Sequence, residues 1–587
     1  MRCIPLLILL AISLSAQQPV HQSIVVSGTW EPIPLEEADR AILSLPVREL
    51  RLTLISLPDL LRLDPSLDLR QRAPNGLQGD LSIRGATFGQ TLVLLNGRRM
   101  SDPQSGHHSM DIPVPLEAVE TVEVLRGAGS TLYGSDALGG VVNIITSTPE
   151  RAQLRTRAAL GNAGAQQQSL SAGGVFRQFS QRLSLARDFS SGFATNRDYR
   201  FLSASSSSTL RTRLGTGGLE LAGADRAYGA ENFYGAYPSW ERTKTWFAAA
   251  RQQLGTHTDA AFSYRRHTDL FYLYRDNPQR YQNHHVAESY QASLRRRDEL
   301  KHGLTFHSGA EMLADSISSS NLGQHARARG SAYAALDARA LGRFSFSAGL
   351  RTESWRGAFD QISPSLAGGY WATSKVKLRA SLSRAYRVPT FTELYYKDPA
   401  NQGNAALHAE TAWSREAGAD WRPSSNWRLQ TTVFDRLDRN GIDYMSTSAS
   451  GPWKAANITQ VRFTGLETSA GLRWRSQVFD WSYAALRGRS TLASGIFTKY
   501  SYNYPVHSGI FSWTASLGHY TARTRLGALE RRDRSPYAVW DVSLARAGRR
   551  IRPFIQLSNL TGTHYEEVLT VAMPGRTFLG GVELIFW

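Results

Sequence analysis

Cysteine is nearly absent: the only one in 587 residues is Cys3. Such a chain has no disulfide framework, no thiolate metal centre and no cysteine nucleophile. Beyond the first sixteen residues there is no run of eighteen apolar residues, which excludes a helical membrane protein. Negative charge is in short supply, with 49 Asp and Glu against 67 Lys and Arg and a net charge of +18. The positive excess is spread along the chain rather than gathered in one patch, so no nucleic-acid partner is expected. An apolar content of 42% excludes wholesale disorder. No GxxxxGK[ST] loop occurs, and the Gly-rich stretch 126–130 fails the dinucleotide pattern because Leu132 stands where the third Gly belongs. No catalytic constellation stands out, so neither an enzyme nor a cofactor is expected. No metal site is expected either: His107-His108 and His284-His285 read as polar loop surface.

The chain opens with Arg2, an apolar run from Ile4 to Ile12 and the small residues Ser13, Ser15 and Ala16. That order predicts a signal peptide over 1–16 and export of the product. Residues 17–45 read as an exposed tail with one strand-like run, Ser23, Ile24, Val25, Val26 and Ser27. Residues 46–150 read as a compact α+β domain, with a helix near Leu57 to Leu63. Its β-runs lie at Leu81 to Ile83, Leu92 to Leu95, Val119 to Leu125 and Val141 to Thr146.

From 151 to 587 the texture is alternation. Leu466, Ala470, Leu472 and Trp474 share one parity, and Glu467, Ser469 and Arg473 the other. A period of two gives each strand one apolar and one polar face. A sandwich core would not tolerate Arg and Glu on the second face, whereas a water-lined membrane barrel requires it. About 437 residues at roughly 20 per strand and connection predict about 22 antiparallel strands. The fold class is therefore an all-β transmembrane barrel with the α+β domain as a plug in its lumen. Arg415 breaks the parity of its strand, which predicts an interface position or a bulge.

Several motifs carry a resemblance. SIRG (Ser82 to Gly85), LLNGRRM (Leu94 to Met100), DIPV (Asp111 to Val114) and the run Val119 to Thr146 together resemble the plug of TonB-dependent outer-membrane receptors. Ser383 to Tyr396, Gly403 to Gly418, Phe463 to Trp474 and Asn559 to Trp587 resemble the second half of such receptors. The resemblance implies a multi-pass barrel in the outer membrane of a Gram-negative-type bacterium, importing a scarce small-molecule ligand. It implies a TonB box at Ser23–Ser27, and TonB as partner, driven by the inner-membrane proton-motive force. Ion pairs are implied between plug Arg84 and Arg126 and wall Glu416 and Glu467. Phe586 and Trp587 become a barrel-insertion signal for the assembly machinery, and the barrel's outer face meets outer-membrane lipid.

Within the family, Asn96 to Val114 and Glu231 to Thr245 resemble the vitamin B12 (cobalamin) receptor group, which implies a corrinoid ligand. A ferric siderophore, a metal chelate, is the alternative, and a passive porin-like channel is the alternative from another class. The plug motifs argue against the open channel. A cell-surface signalling role would need a further N-terminal domain, and only a short tail precedes the plug. Ligand contact is predicted for the plug-apex loop Asp102 to Asp111, through Gln104, Ser105, His107, His108 and Ser109. The loop's near-lack of long apolar side chains suggests that packing does not set its composition.

Overall fold

The computed structural model describes residues 24–25, 27–355, 360–491, 495–501, 503–548 and 550–586. The signal segment, Ser23, Val26 and Trp587 lie outside the described residues.

Among the described residues, twenty-two long antiparallel strands close into a barrel, from Gln153–Gly161 to Thr577–Phe586. The first and last pair from Leu154↔Phe586 to Gly161↔Leu579, so no edge is left unpaired. The alternation sorts side chains as the sequence requires. Leu466 and Trp474 are exposed on the outer wall, while Glu467 between them is buried in the lumen. Connections at the barrel end that carries Phe586 are tight, as at Phe176–Phe179 and Trp474–Gln477. The other end carries longer ones, above all 388–409. Arg415 sits in an unbroken register from Thr411↔Arg439 to Trp421↔Leu429, so no bulge hosts it. It is exposed and bonds Asp435 at 2.9 Å, which Arg462 also bonds at 2.6 Å.

The plug is a five-stranded mixed sheet ordered Ile42–Pro46, Val119–Arg126, Gly140–Thr146, Thr91–Leu95, Arg98–Arg99. A hairpin of Leu67–Gln71 and Gly79–Ile83 stands beside it. Both faces of the sheet are covered, so its strands read as continuous apolar runs. Val93, Val122, Val124, Val142 and Ile144 pack on one side with Leu60 and Leu61 of the helix Leu57–Leu61. Leu92, Leu94, Leu125 and Val141 face the other side. Gly140 lets the sheet close: a Cβ there would stand 2.3 Å from the Leu125 carbonyl oxygen.

That second face corrects the exposed tail. Ile33, Ala38 and Ile42 cover Leu92 and Leu125, and Ile42–Pro46 is the sheet's edge strand. Apolar surface on a two-sided sheet must be covered, and the chain before residue 46 is what covers it. Ser27 is fully buried, with its amide on Glu123 Oε2 at 2.6 Å and its hydroxyl accepting from Asn143 at 3.0 Å. Ile24 is exposed, on the two-residue strand Ile24–Val25, which pairs with Ile33–Pro34.

Candidate functional site

The plug meets the wall through charge. Arg84 lies in the turn after the hairpin with φ at 53°. Its guanidinium holds Glu467 through Nε and Nη2, both at 2.7 Å, and Glu416 through Nη1 at 2.7 Å. One face of it lies 4.3 Å from the Phe434 ring centroid. Arg126 bonds Asp64 at 2.6 Å and reaches Glu467 at 3.4 Å. Glu416 and Glu467 come from two wall strands separated by Trp427–Ser446, and lumen parity turns both inward. The Arg84 side chain is 2% exposed, so removing both carboxylates would strand a buried charge.

The apex loop lies at the far end of the plug. Arg98–Arg99 leads into it, and a short helical turn at Gly106–His108 is capped by Ser105. Surface histidines and a composition free of packing are both overturned here. His108 is buried, and Asp102, Gln104, Ser109 and Asp111 are buried with it. The cause is a set of wall partners on the strand Thr258–Tyr272. Arg265 bonds Asp102 at 2.7 Å, His267 bonds Asp111 at 2.9 Å, and Asp269 accepts from Gln104 at 2.9 Å. Arg226 on the strand Gly215–Glu231 also grips Asp111. Packing sets the loop's composition after all, through charge rather than apolar contact. His285 is buried as well, against Ser319 at 2.7 Å, whereas His284 is exposed.

His107 behaves differently from its neighbour. It stacks on Phe88 at 4.0 Å, bonds Asp80 at 2.6 Å and keeps 18% of its side chain exposed. Tyr500 stands edge-on to both rings. Burial lowers the His107 imidazole below its ordinary pKa despite Asp80. Burial also works against charging His108, yet the nearby carboxylates of Asp111 and Asp269, at 3.6 and 3.5 Å, outweigh it and lift that imidazole well above its ordinary value. Of the five anticipated contact residues, only Ser105 and His107 keep an exposed edge.

A roof covers the rest. The amides of Phe391 and Thr392 donate to the carbonyls of Pro103 and Gln104 at 2.9 and 3.0 Å. The helix Phe391–Tyr395 is held there by Arg387, which bonds Glu410 at 2.6 Å and Glu393 at 2.9 Å. Sequence reading left Arg387, Arg265, His267 and Asp269 unassigned. The signal was present in the spacing: 265, 267 and 269 are polar residues of one parity on one strand. Beside the plug's hairpin lies a cavity of about 240 Å³, lined by Arg62, Asp68, Tyr199, Arg523, Arg531 and Tyr565 among others. That is below the roughly 300–1,000 Å³ of a small-molecule pocket.

Residues 146–560 match the family described as TonB dependent receptor-like, beta-barrel, and residues 34–141 match the TonB-dependent Receptor Plug Domain. The chain belongs to the TonB-dependent receptors. It is therefore an outer-membrane receptor and transporter of the plugged-barrel type. It is 25% identical over 428 residues to the vitamin B12 transporter BtuB of Photobacterium profundum, covering 70% of this chain and 69% of that one. A vitamin B12 transporter BtuB of Vibrio cholerae is 37% identical over 119 residues, 20% of this chain and 19% of its own length. Among solved structures, the siderophore receptor PirA of Acinetobacter baumannii matches with a TM-score of 0.76 at 15% identity, covering 93% of this chain and 98% of that one. The FrpB iron transporter of Neisseria meningitidis matches at 0.77 and 14%, covering 93% and 99%. At those identities the likeness is one of fold.

Proposed function

We propose that this receptor imports a corrinoid of the cobalamin type across the outer membrane. The observation that carries the reading is the similarity to a vitamin B12 transporter along 70% of the chain. The accessible part of the apex is compatible with it. Phe88, His107 and Tyr500 present ring edges and faces, and Ser105 adds a hydroxyl beside them. A large ring rimmed by amides is met by that combination of flat apolar surface and a few polar groups.

TonB would take the segment around Ile24 and Val25 as an added strand. The two-residue pairing of this segment with Ile33–Pro34 is short enough to give up readily. Pull on the segment reaches the plug through Ser27, which is bonded to Glu123 in the sheet. Assembly into the membrane would use Phe586 and Trp587 at the closing strand, with lipid on the outer wall.

The test is direct binding to the purified receptor of cyanocobalamin and of a panel of ferric siderophores. Saturable cyanocobalamin binding with no siderophore competing supports the reading. A siderophore that binds while cyanocobalamin does not would replace it with the second reading, a ferric-siderophore receptor. That second reading draws on an iron-regulated outer membrane virulence protein of Vibrio cholerae, 48% identical over 73 residues, 11% of each chain.

A further inference from the structure

The buried cluster between the apex loop and the wall has a geometry that fastening alone does not require. His267 Nε2 lies 2.9 Å from Asp111 Oδ2, and His108 Nδ1 lies 3.6 Å from the same oxygen. These three ligand atoms fall within 4.8 Å of one another, and all three residues are buried. His108 Nδ1 is a buried nitrogen with no hydrogen-bond partner, and its side chain is 5% exposed. Two ligand atoms on one tetrahedral zinc ion, each at about 2.0–2.2 Å, stand about 3.3 Å apart. The separations of 2.9 and 3.6 Å bracket that value.

The outer nitrogens are placed to match. His267 Nδ1 is 3.0 Å from Asp102 Oδ2, and His108 Nε2 is 3.5 Å from Asp269 Oδ2. Each imidazole thus faces Asp111 with one nitrogen and a further carboxylate with the other. A metal-bound histidine is oriented by a carboxylate on its second nitrogen; Asp102 and Asp269 stand at those positions, although His267 Nδ1 makes no hydrogen bond to Asp102 in this geometry.

We propose that His108, Asp111 and His267 bind a divalent first-row transition-metal ion, zinc being the class that suits two imidazoles and a carboxylate. Asp102 and Asp269 orient the two imidazoles. The ion is shared between plug and wall, because His108 and Asp111 come from the apex loop and His267 from the strand Thr258–Tyr272. It ties the loop to the barrel whatever ligand the receptor carries.

The experiment uses the full chain, folded in detergent, stripped with a chelator and titrated with Zn²⁺ and separately with Co²⁺. The wild type should take up one equivalent of Zn²⁺, show visible absorption bands on binding Co²⁺, and melt at a higher temperature when loaded. His267→Gln and Asp111→Asn should weaken Zn²⁺ binding by more than about 100-fold, and Asp102→Asn by about 10- to 100-fold. His284→Gln, at an exposed position, should bind as the wild type does. Since Asp111→Asn also loses its bonds to Arg226, protease protection of the plug is measured for each variant. His108→Gln serves as the second test because it leaves the Asp111 bonds to Arg226 and His267 in place. No stoichiometric Zn²⁺ uptake by the wild type overturns the proposal. So does wild-type affinity in His108→Gln with a protected plug, which would leave the cluster as a hydrogen-bonded fastening only.

Discussion

Two buried regions of the plug are built on opposite principles. Its own core is apolar: Leu94, Val122, Val142 and Ile144 are excluded from solvent and make no polar contact there. Its junction with the wall adds what the core lacks, buried ion pairs (Arg84 with Glu416 and Glu467, Arg531 with Asp68, Arg265 with Asp102), beside smaller apolar contacts such as Ala128 and Leu138 on Ala385 and Ala412. An apolar core loses its stabilisation only when the domain unfolds. A charged junction loses little if water replaces each partner as it parts, because hydrated ions are themselves stable. A plug that must hold against leakage and yet shift during transport needs the first inside it and the second around it.

The widest test of that contrast acts on the pull rather than on the junction. Deleting residues 22–28 should reduce energised uptake to background while surface ligand binding stays within error of wild type. The deletion removes the segment proposed for TonB and the Ser27 tie, and touches nothing at the apex. Retained uptake would show that force enters the plug elsewhere.

Next in size is the junction itself. Glu416→Ala with Glu467→Ala leaves Arg84 buried without either carboxylate, at a cost of about 3–5 kcal/mol if water stays out. Leakage of large antibiotics into cells should rise, because the plug is then held less firmly. Unchanged leakage would mean that the remaining ties, Arg531–Asp68 and Arg265–Asp102 among them, suffice. The paired change inside the core is Leu94→Ala, which should cost about 2–5 kcal/mol of plug stability through the cavity it leaves. It should lower the plug's melting temperature without opening the channel at growth temperature. If Leu94→Ala leaks and the double carboxylate variant does not, the division between core and junction is wrong.

The two regions also differ in how far the sequence discloses them. Wall strands obey a period of two, so Leu466 outside and Glu467 inside are legible from spacing alone. The plug's β-runs are legible because both faces are covered and the runs are unbroken. Arg84 and Arg126 stood out as charges in an apolar domain, and the resemblance supplied Glu416 and Glu467. The apex was misread because its determinants are distant in the chain. Nothing in residues 102–111 announces that Arg226, Arg265 and His267 will enclose them, and without those partners His108 looks like surface. The tail was misread for a related reason: Ile33, Ala38 and Ile42 look unremarkable until the second face of the sheet is known to need cover.

The smallest effect separates the two histidines of the apex. His107 keeps an exposed edge and one bond to Asp80, and stacks on Phe88 at 4.0 Å. If it offers ligand a hydrogen bond, His107→Ala should weaken binding by about three- to tenfold, the equivalent of roughly 0.5–1.5 kcal/mol. His107→Phe preserves the stack on Phe88 and removes both ring nitrogens. It divides the effect between the flat surface of the ring and its polar atoms. Affinity restored by Phe would assign the contribution to stacking, and affinity lowered equally by Ala and Phe would assign it to the imidazole nitrogens. Binding is measured on intact cells and on detergent-solubilised receptor with cyanocobalamin as probe. Unchanged affinity in both variants would remove His107 from the ligand site, and would leave the apex loop as part of the junction rather than of the receptor surface.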